Sequence, residues 1–157
     1  MSELIVIGIS DQNTAKPPDI LVSYALGSCV GICLYDNLHR IAGLSHILLP
    51  NSKICNGNVD VYKFADTAIK SLVSNMEKLG CSRFRLTAKI SGGANMFLST
   101  GKSIGEKNVK AVIAELDNLK IKIIAQDTGG NYGRTLEFNP ENGQLLIKSL
   151  LMGNKVL

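Results

Sequence analysis

Two side chains in this sequence have the types and spacing of a nucleophile and its base. Cys29 follows Gly27-Ser28 at the mouth of an apolar run, Val30 to Tyr35, and His46 lies within a second apolar run, Ile41 to Leu49. A free thiol has a pKa of about 8.5, so little of it is thiolate at neutral pH. A neighbouring imidazole can take the proton, and the ion pair so formed favours the thiolate. Between the runs, Asp36-Asn37-Leu38-His39-Arg40 is turn material. With Asn37-Leu38 as a two-residue hairpin loop, paired positions sum to 75 and Cys29 stands directly opposite His46. Directly opposed residues have Cβ atoms about 4.5–5.5 Å apart. A loop one residue longer would put the two side chains on opposite faces. The same arithmetic places Val30, Ile32 and Leu34 on the other face with Ile41, Ile47 and Leu49. Both faces are then partly apolar, as in central strands covered by a layer on each side.

Gly27 and Ser28 form a tight segment whose N–H groups can face a developing oxyanion. Ser23, six residues before Cys29, has the strand parity to orient the imidazole if no bulge intervenes, and Gly27 is a natural bulge site. The residues alone leave a second reading open. A cysteine at a strand start also serves as a small buried hydrophobe, and a lone histidine on an apolar strand as a hydrogen-bonded core residue. Cys33 inside an apolar strand, Cys55 in a polar loop and Cys81 behind a helix end read as structural, and His39 as solvated in its turn.

The elements that must hold the pair follow from periodicity. Leu4 to Ile9, Ile20 to Ala25, Val30 to Tyr35 and Ile41 to Leu49 read as strands, with Asp11 to Asp19 a Pro-containing loop and Pro50 to Asn58 a polar one. Val59 to Leu79 predicts a helix, its stripe running from Val61 through Phe64, Ala68, Leu72 and Met76 to Leu79, and Gly80 predicts its left-handed end. Phe84 to Ile90 alternates as a strand. Ser103-Ile104-Gly105-Glu106 matches a capping box that opens a second helix, with Ile104, Val109, Val112, Ile113, Leu116 and Leu119 on one stripe. Ile121 to Gln126 is a strand, and Arg134 to Phe138 with Gln144 to Leu150 a hairpin. Two helices and seven or eight strands predict a single α+β layered domain over residues 1–157. The segments Ser91-Gly92-Gly93 and Thr128-Gly129-Gly130-Asn131 both follow strands, match no nucleotide-binding motif, and are candidates for a shared substrate rim.

Composition narrows the function classes. Hydrophobic residues make up 45% of 157 positions, enough for a core at this length. The net charge of +4 is scattered, there is no Trp, and no basic–aromatic interleaving occurs, which argues against nucleic-acid binding. No apolar run reaches the roughly 20 residues of a membrane span, and the first residues lack a basic, cleavable leader, so the expected location is the cytoplasm. Four cysteines there are expected to stay reduced, and no His/Cys cluster has zinc-ligand spacing.

Six ordered motifs then carry a resemblance. They are Leu26-Gly27-Ser28-Cys29-Val30, Gly43-Leu44-Ser45-His46-Ile47-Leu48-Leu49-Pro50, Tyr62-Lys63-Phe64-Ala65-Asp66, Lys89 to Phe97, Ile104-Gly105-Glu106-Lys107-Asn108 and Asp127 to Arg134. From about Ile20 to Lys148 the chain resembles CheD, the chemoreceptor glutamine deamidase family of chemotaxis. The resemblance implies a three-layer α/β sandwich with mixed β-sheets and two main helices, similar to the catalytic domain of deamidating bacterial toxins. It implies hydrolysis of glutamine side chains on methyl-accepting chemoreceptors, with Cys29 as nucleophile and His46 as base. The family's third catalytic residue is typically threonine and here is Ser23, which keeps the hydroxyl but loses a methyl that restricts χ1. Gly27, Ser28, Gly92, Gly93, Thr128, Gly129, Gly130 and Asn131 are the candidate substrate-binding positions. No metal or organic cofactor is implied, nor membrane insertion. The implied partner besides the receptor is the CheC phosphatase. The competing readings are a non-catalytic chemotaxis adaptor that binds CheC or the receptor, and a thiol hydrolase of small amides or esters.

Overall fold

The computed structural model describes residues 2–54, 57, 59–96 and 103–157. In chain order the strands and helices are β1 (Leu4–Val6), β2 (Asp11–Ala15), β3 (Ile20–Leu26), β4 (Val30–Asp36), β5 (Ile41–Ile47), α1 (Ala65–Lys78), β6 (Thr87–Gly92), α2 (Ile104–Asn118), β7 (Lys122–Thr128), β8 (Arg134–Asn139), β9 (Gln144–Ser149) and β10 (Gly153–Val156). They form two mixed five-stranded sheets, β1-β3-β8-β9-β10 and β2-β5-β4-β6-β7. In each, all neighbours are antiparallel except one parallel pair, β1 with β3 and β6 with β7.

The period-2 pattern of β4 sorts its side chains between two cores. Val30, Ile32 and Leu34 pack under α1 and α2 with Ile41 and Ile47, while Cys29, Cys33 and Tyr35 face the other sheet with Ala42 and Leu44. This is the two-sided burial expected of central strands, and the helix pair, one sheet and the second sheet form successive layers. Gly43 lets α1 approach, because a Cβ there would lie 2.7 Å from Met76 Sδ and 2.9 Å from Leu72 Cδ1. No helix among the described residues is long and apolar enough to cross a membrane.

Several expected elements differ. Asp11 to Ala15 is not loop but the edge strand β2, paired with β5 from Asp11↔His46 to Ala15↔Ala42. Its only fully buried residue is Ala15, so its sequence carries almost no hydrophobic signal and the ladder alone makes it a strand. Helix α1 starts at Ala65, not Val59. The amides of Leu48 and Leu49 donate to the Lys63 carbonyl and Ala65 N–H donates to Leu49, so after a turn at 61–63 Phe64 is extended and bridges to Leu49 beyond β5. The apolar residues at Val61 and Phe64 match helical spacing by coincidence. Strand β6 starts at Thr87 because Ser82 to Leu86 forms tight turns that leave Phe84 exposed. On α2, Ser103 caps through Glu106 N–H as predicted, but Ile104 and Ile113 are exposed while Asn108 and Glu115 are buried. Strand β10, unforeseen, adds to the edge of the β8–β9 hairpin.

The β4–β5 hairpin closes one end of its sheet with a four-residue loop, 37–40, since Asp36 pairs with Ile41. Asp36 selects that loop. Its buried carboxylate accepts from Leu38 N–H (3.0 Å) and His39 N–H (3.3 Å), and Arg40 then takes φ +53° to re-enter the sheet. Arg85 donates to the same carboxylate at 3.2 Å. Burial by itself would raise the Asp36 carboxyl; the Arg85 guanidinium, the His39 ring and the turn amides outweigh it and hold the pKa at about 2. A carboxyl depressed in the folded state stabilises above its unfolded pKa, and that stability vanishes as pH falls through the folded value. Calorimetry across pH is therefore expected to show a stability loss from 3.8 down to about 2 that Asp36→Asn flattens, with a lower Tm for that variant at neutral pH.

Candidate functional site

The longer loop changes the register that brings the candidate pair together. Partners on β4 and β5 sum to 77, so His46 stands opposite Gly31 rather than Cys29. Expectation and structure differ by two residues in the sum, which preserves the face. Cys29, one residue before β4, therefore lies diagonally from His46 on the side that looks into the gap between the sheets. Gly31 keeps that gap open, because a Cβ there would sit 2.4 Å from Leu136 Cδ1.

Ser23 reaches the imidazole from the opposite sheet. The condition on parity fails as stated, since a bulge does intervene: Ser23 pairs with Leu136 but Leu26 with Arg134, and Ala25 takes φ +55°. The bulge lies beyond Ser23 and leaves its side chain pointing inward, fully buried. Ser23 Oγ donates to the Ile7 carbonyl at 2.7 Å and lies 2.7 Å from His46 Nδ1. A hydroxyl has one proton, and here it goes to Ile7, so the contact with His46 is an Nδ1–H donated to Ser23. That assigns the tautomer and leaves the lone pair on Nε2, which is buried with no partner among the described residues. Both 2.7 Å contacts fix the serine rotamer without the missing methyl. The Ile7 carbonyl is a site component that no side-chain pattern could reveal.

Burial sets the charge state. It pushes His46 down to about 4, against smaller upward effects of the Ile7 carbonyl and Asp11. It pushes the Cys29 thiol up, opposed in part by that residue's own backbone N–H. At neutral pH the pair rests as thiol and neutral imidazole rather than as an ion pair. Cys33, buried beyond solvent, and Cys81 are likewise pushed up by burial, which suits their reading as structural residues. Cys55 lies outside the described residues.

The glycine positions pin the loop that carries Cys29. Gly93 N–H donates to the Cys29 carbonyl (2.8 Å) and Ala94 N–H to that of Gly27 (2.9 Å). Gly92, at φ +117°, has no room for a Cβ, which would meet the Cys29 carbonyl oxygen at 2.2 Å. Gly129 N–H donates to Gly92 and Asn95 N–H to Gly130, so the second glycine loop is tied to the first. Gly27 and Ser28 are half-buried, Met96 packs over Gly27 at 3.2 Å from where a Cβ would stand, and Asn131 is exposed. Thr128 ends β7 in register with Gly92. Phe97, the last residue of the Lys89 to Phe97 motif, lies outside the described residues.

Two further residues, both inside the quoted motifs, have no individual role assigned by the sequence. Arg134 is 1% exposed and donates to Asp127 (3.2 Å) and Tyr132 Oη (3.0 Å), with its guanidinium carbon 4.2 Å from the Tyr132 ring centre. It joins β8 of one sheet to β7 of the other beside the loop. Asn108 of α2 is fully buried and donates to Ser28 and Leu48 carbonyls. Asn108 ends the motif Ile104-Gly105-Glu106-Lys107-Asn108 and is a polar residue interrupting an otherwise apolar stripe.

A buried thiol and a tautomer-fixed imidazole facing one gap make this a layered α+β protein with a buried cysteine and histidine between its two sheets. Residues 48–149 match the family described as CheD chemotactic sensory transduction. A protein of Lachnoclostridium phytofermentans is 49% identical over 96% of both chains, one of Syntrophomonas wolfei 45% over 100% of both, and one of Caldanaerobacter subterraneus 47% over 99% of both. Each carries the name probable chemoreceptor glutamine deamidase CheD. This chain belongs to the CheD family.

The site geometry makes a direct prediction. In NMR titrations His46 is expected to ionise near pH 4 and to show the Nδ1–H tautomer throughout the neutral range. Ser23→Ala removes the acceptor and is expected to abolish that tautomer preference; a wild-type midpoint near the usual 6.5 contradicts the assignment.

Proposed function

We propose that this protein is a chemoreceptor glutamine deamidase that works through a Cys29 thioester, with residues 1–157 acting as one deamidase domain in the cytoplasm. The observation that carries the mechanism is the imidazole whose Nδ1–H is tied off on Ser23 while its buried Nε2 is left to accept a proton. The substrate is a glutamine side chain of a chemoreceptor, as the names of the full-length relatives indicate, and the family resemblance implies receptors of the methyl-accepting kind.

The steps follow from the charge state. As the glutamine amide enters, the thiol of Cys29 closes on Nε2, since such contacts tighten in the substrate complex. Sulfur forms a bond to the amide carbon while its proton passes to Nε2. The carbonyl oxygen becomes an oxyanion facing the backbone N–H of Cys29. The C–N bond breaks as the imidazolium returns its proton to nitrogen, and ammonia leaves. Water then loses a proton to Nε2, its oxygen attacks the thioester carbon, and sulfur departs and regains the proton. The product is glutamate, and no step needs a metal or organic cofactor. The imidazolium exists only while the site holds a negative oxygen, consistent with a pocket that disfavours it at rest.

A glutamine on a receptor helix must present its amide to a cleft, so the entrance above Cys29, itself 6% exposed, is expected to be shallow. The half-exposed Met96 and the loop Gly129–Asn131 are the proposed rim. The CheC phosphatase is the proposed regulatory partner, and the layering is expected to be shared with deamidating toxins, both on the strength of the family resemblance.

Mass spectrometry of a receptor cytoplasmic fragment tests the reading. Wild-type protein is expected to add a single dalton to specific glutamine peptides, whereas Cys29→Ala and His46→Ala leave them unchanged. Ser23→Thr is expected to keep activity and Ser23→Ala to lose roughly one to two orders of magnitude, the scale of about 1–3 kcal/mol for leaving a buried polar group unpaired. Equal deamidation by wild type, Cys29→Ala and His46→Ala would sink the mechanism. Turnover of small amides at receptor-like rates would favour a general thiol hydrolase instead.

A further inference from the structure

We infer that Asn108 is a positioning residue that aims the Cys29 N–H at the oxyanion, by holding the preceding peptide from the side of α2. The inference rests on the deamidase reading and deepens it. Both protons of the Asn108 amide are used, one on the Ser28 carbonyl (2.9 Å) and one on the Leu48 carbonyl (3.0 Å). The first lies immediately before the nucleophile and the second two residues beyond His46, so one side chain references both halves of the pair to a single helix.

Three consecutive carbonyls of the loop are pinned: Gly27 by Ala94 N–H, Ser28 by Asn108, and Cys29 by Gly93 N–H. In a trans peptide the carbonyl and the following N–H point in opposite directions. A Ser28 carbonyl turned toward α2 therefore turns the Cys29 N–H away from the helix layer. Cys29 itself packs in the core between the two sheets, so this N–H points to the side where its thiol lies.

The approach of α2 is built for this. A Cβ on Gly105 would lie 2.4 Å from the Ala94 carbonyl oxygen, and one on Gly93 2.2 Å from Val109 Cγ2. Neither glycine could be replaced without lifting the helix, and Asn108, away from the loop. The arrangement also leaves Asn108 Oδ1 buried with no partner among the described residues. An asparagine kept there for packing alone would be better replaced by an apolar residue. Its two donors are what the site uses.

The test compares wild type and Asn108→Ala on the receptor fragment and on iodoacetamide. Deamidation needs an oxyanion donor; alkylation of sulfur does not. The variant is expected to lose about a hundredfold in kcat with KM little changed, while the high-pH plateau rate of Cys29 alkylation stays the same. An unchanged kcat, or alkylation falling in parallel with it, overturns the assignment. If the variant does not fold, the wild-type protein decides the matter. Reaction with a peptide aldehyde of the glutamine side chain forms a thiohemiacetal on Cys29, and the Cys29 amide proton is expected to move downfield in NMR. An unmoved amide overturns the inference. A wild-type protein that alkylates but does not deamidate removes the functional reading itself, and this inference with it.

Discussion

The contact between Ser23 and His46 is the constraint on which the site depends. It spans the gap between the two sheets, and its 2.7 Å length requires them to hold their spacing and register together. Ser23 can serve only because Ile7 takes its proton, and Ile7 can do so because the segment after β1 follows β3, with Ile7 N–H on the Val22 carbonyl. A backbone carbonyl in the N-terminal segment thus decides which nitrogen of a histidine on another sheet carries a proton.

The rest of the fold keeps that contact dry and aligned. Burial of the imidazole makes it neutral at rest, so its basic nitrogen is available across the physiological range. Protonating it in isolation is unfavourable, and developing negative charge on substrate is what would compensate. At the same end of the sandwich the buried Arg134 clamps one sheet to the other through Asp127, which is partly exposed and also meets Lys155. Removing Asp127 would leave the buried Arg134 guanidinium without its carboxylate partner. The clamp, the glycine ties and the α2 contact all converge on a single seven-residue stretch, Ala25 to Gly31.

Much of the frame was legible in the sequence because it is written in periodicity. The alternation of β4 and β5, both helices, the Ser103 cap and the β8–β9 hairpin follow from local pattern. The failures have physical causes. Strand β2 is a polar edge whose structure is supplied by its neighbour. The start of α1 was misplaced because backbone pairing with Leu49 overrides helical spacing at Val61 and Phe64. The hairpin register was off by two because Asp36 recruits Arg85, far along the chain, to stabilise a longer loop. Thiol and imidazole still share a face because the two registers differ by an even number of residues.

The sequence by itself determined which residues could do chemistry, which faces of the central strands were apolar, and, through six ordered motifs, the family. It could not determine how those residues touch. Ser23 was singled out by parity along one chain segment, but it meets His46 across a sandwich, over a bulge that breaks that parity. Asn108 and Arg134 look like a polar defect in a helix stripe and a charge at a strand start; burial alone turns them into ties. Hydrogen-bond direction, tautomer and charge state arise from desolvation and from backbone groups contributed by distant segments. Those are properties of the assembled layers, and only the tertiary structure decided them.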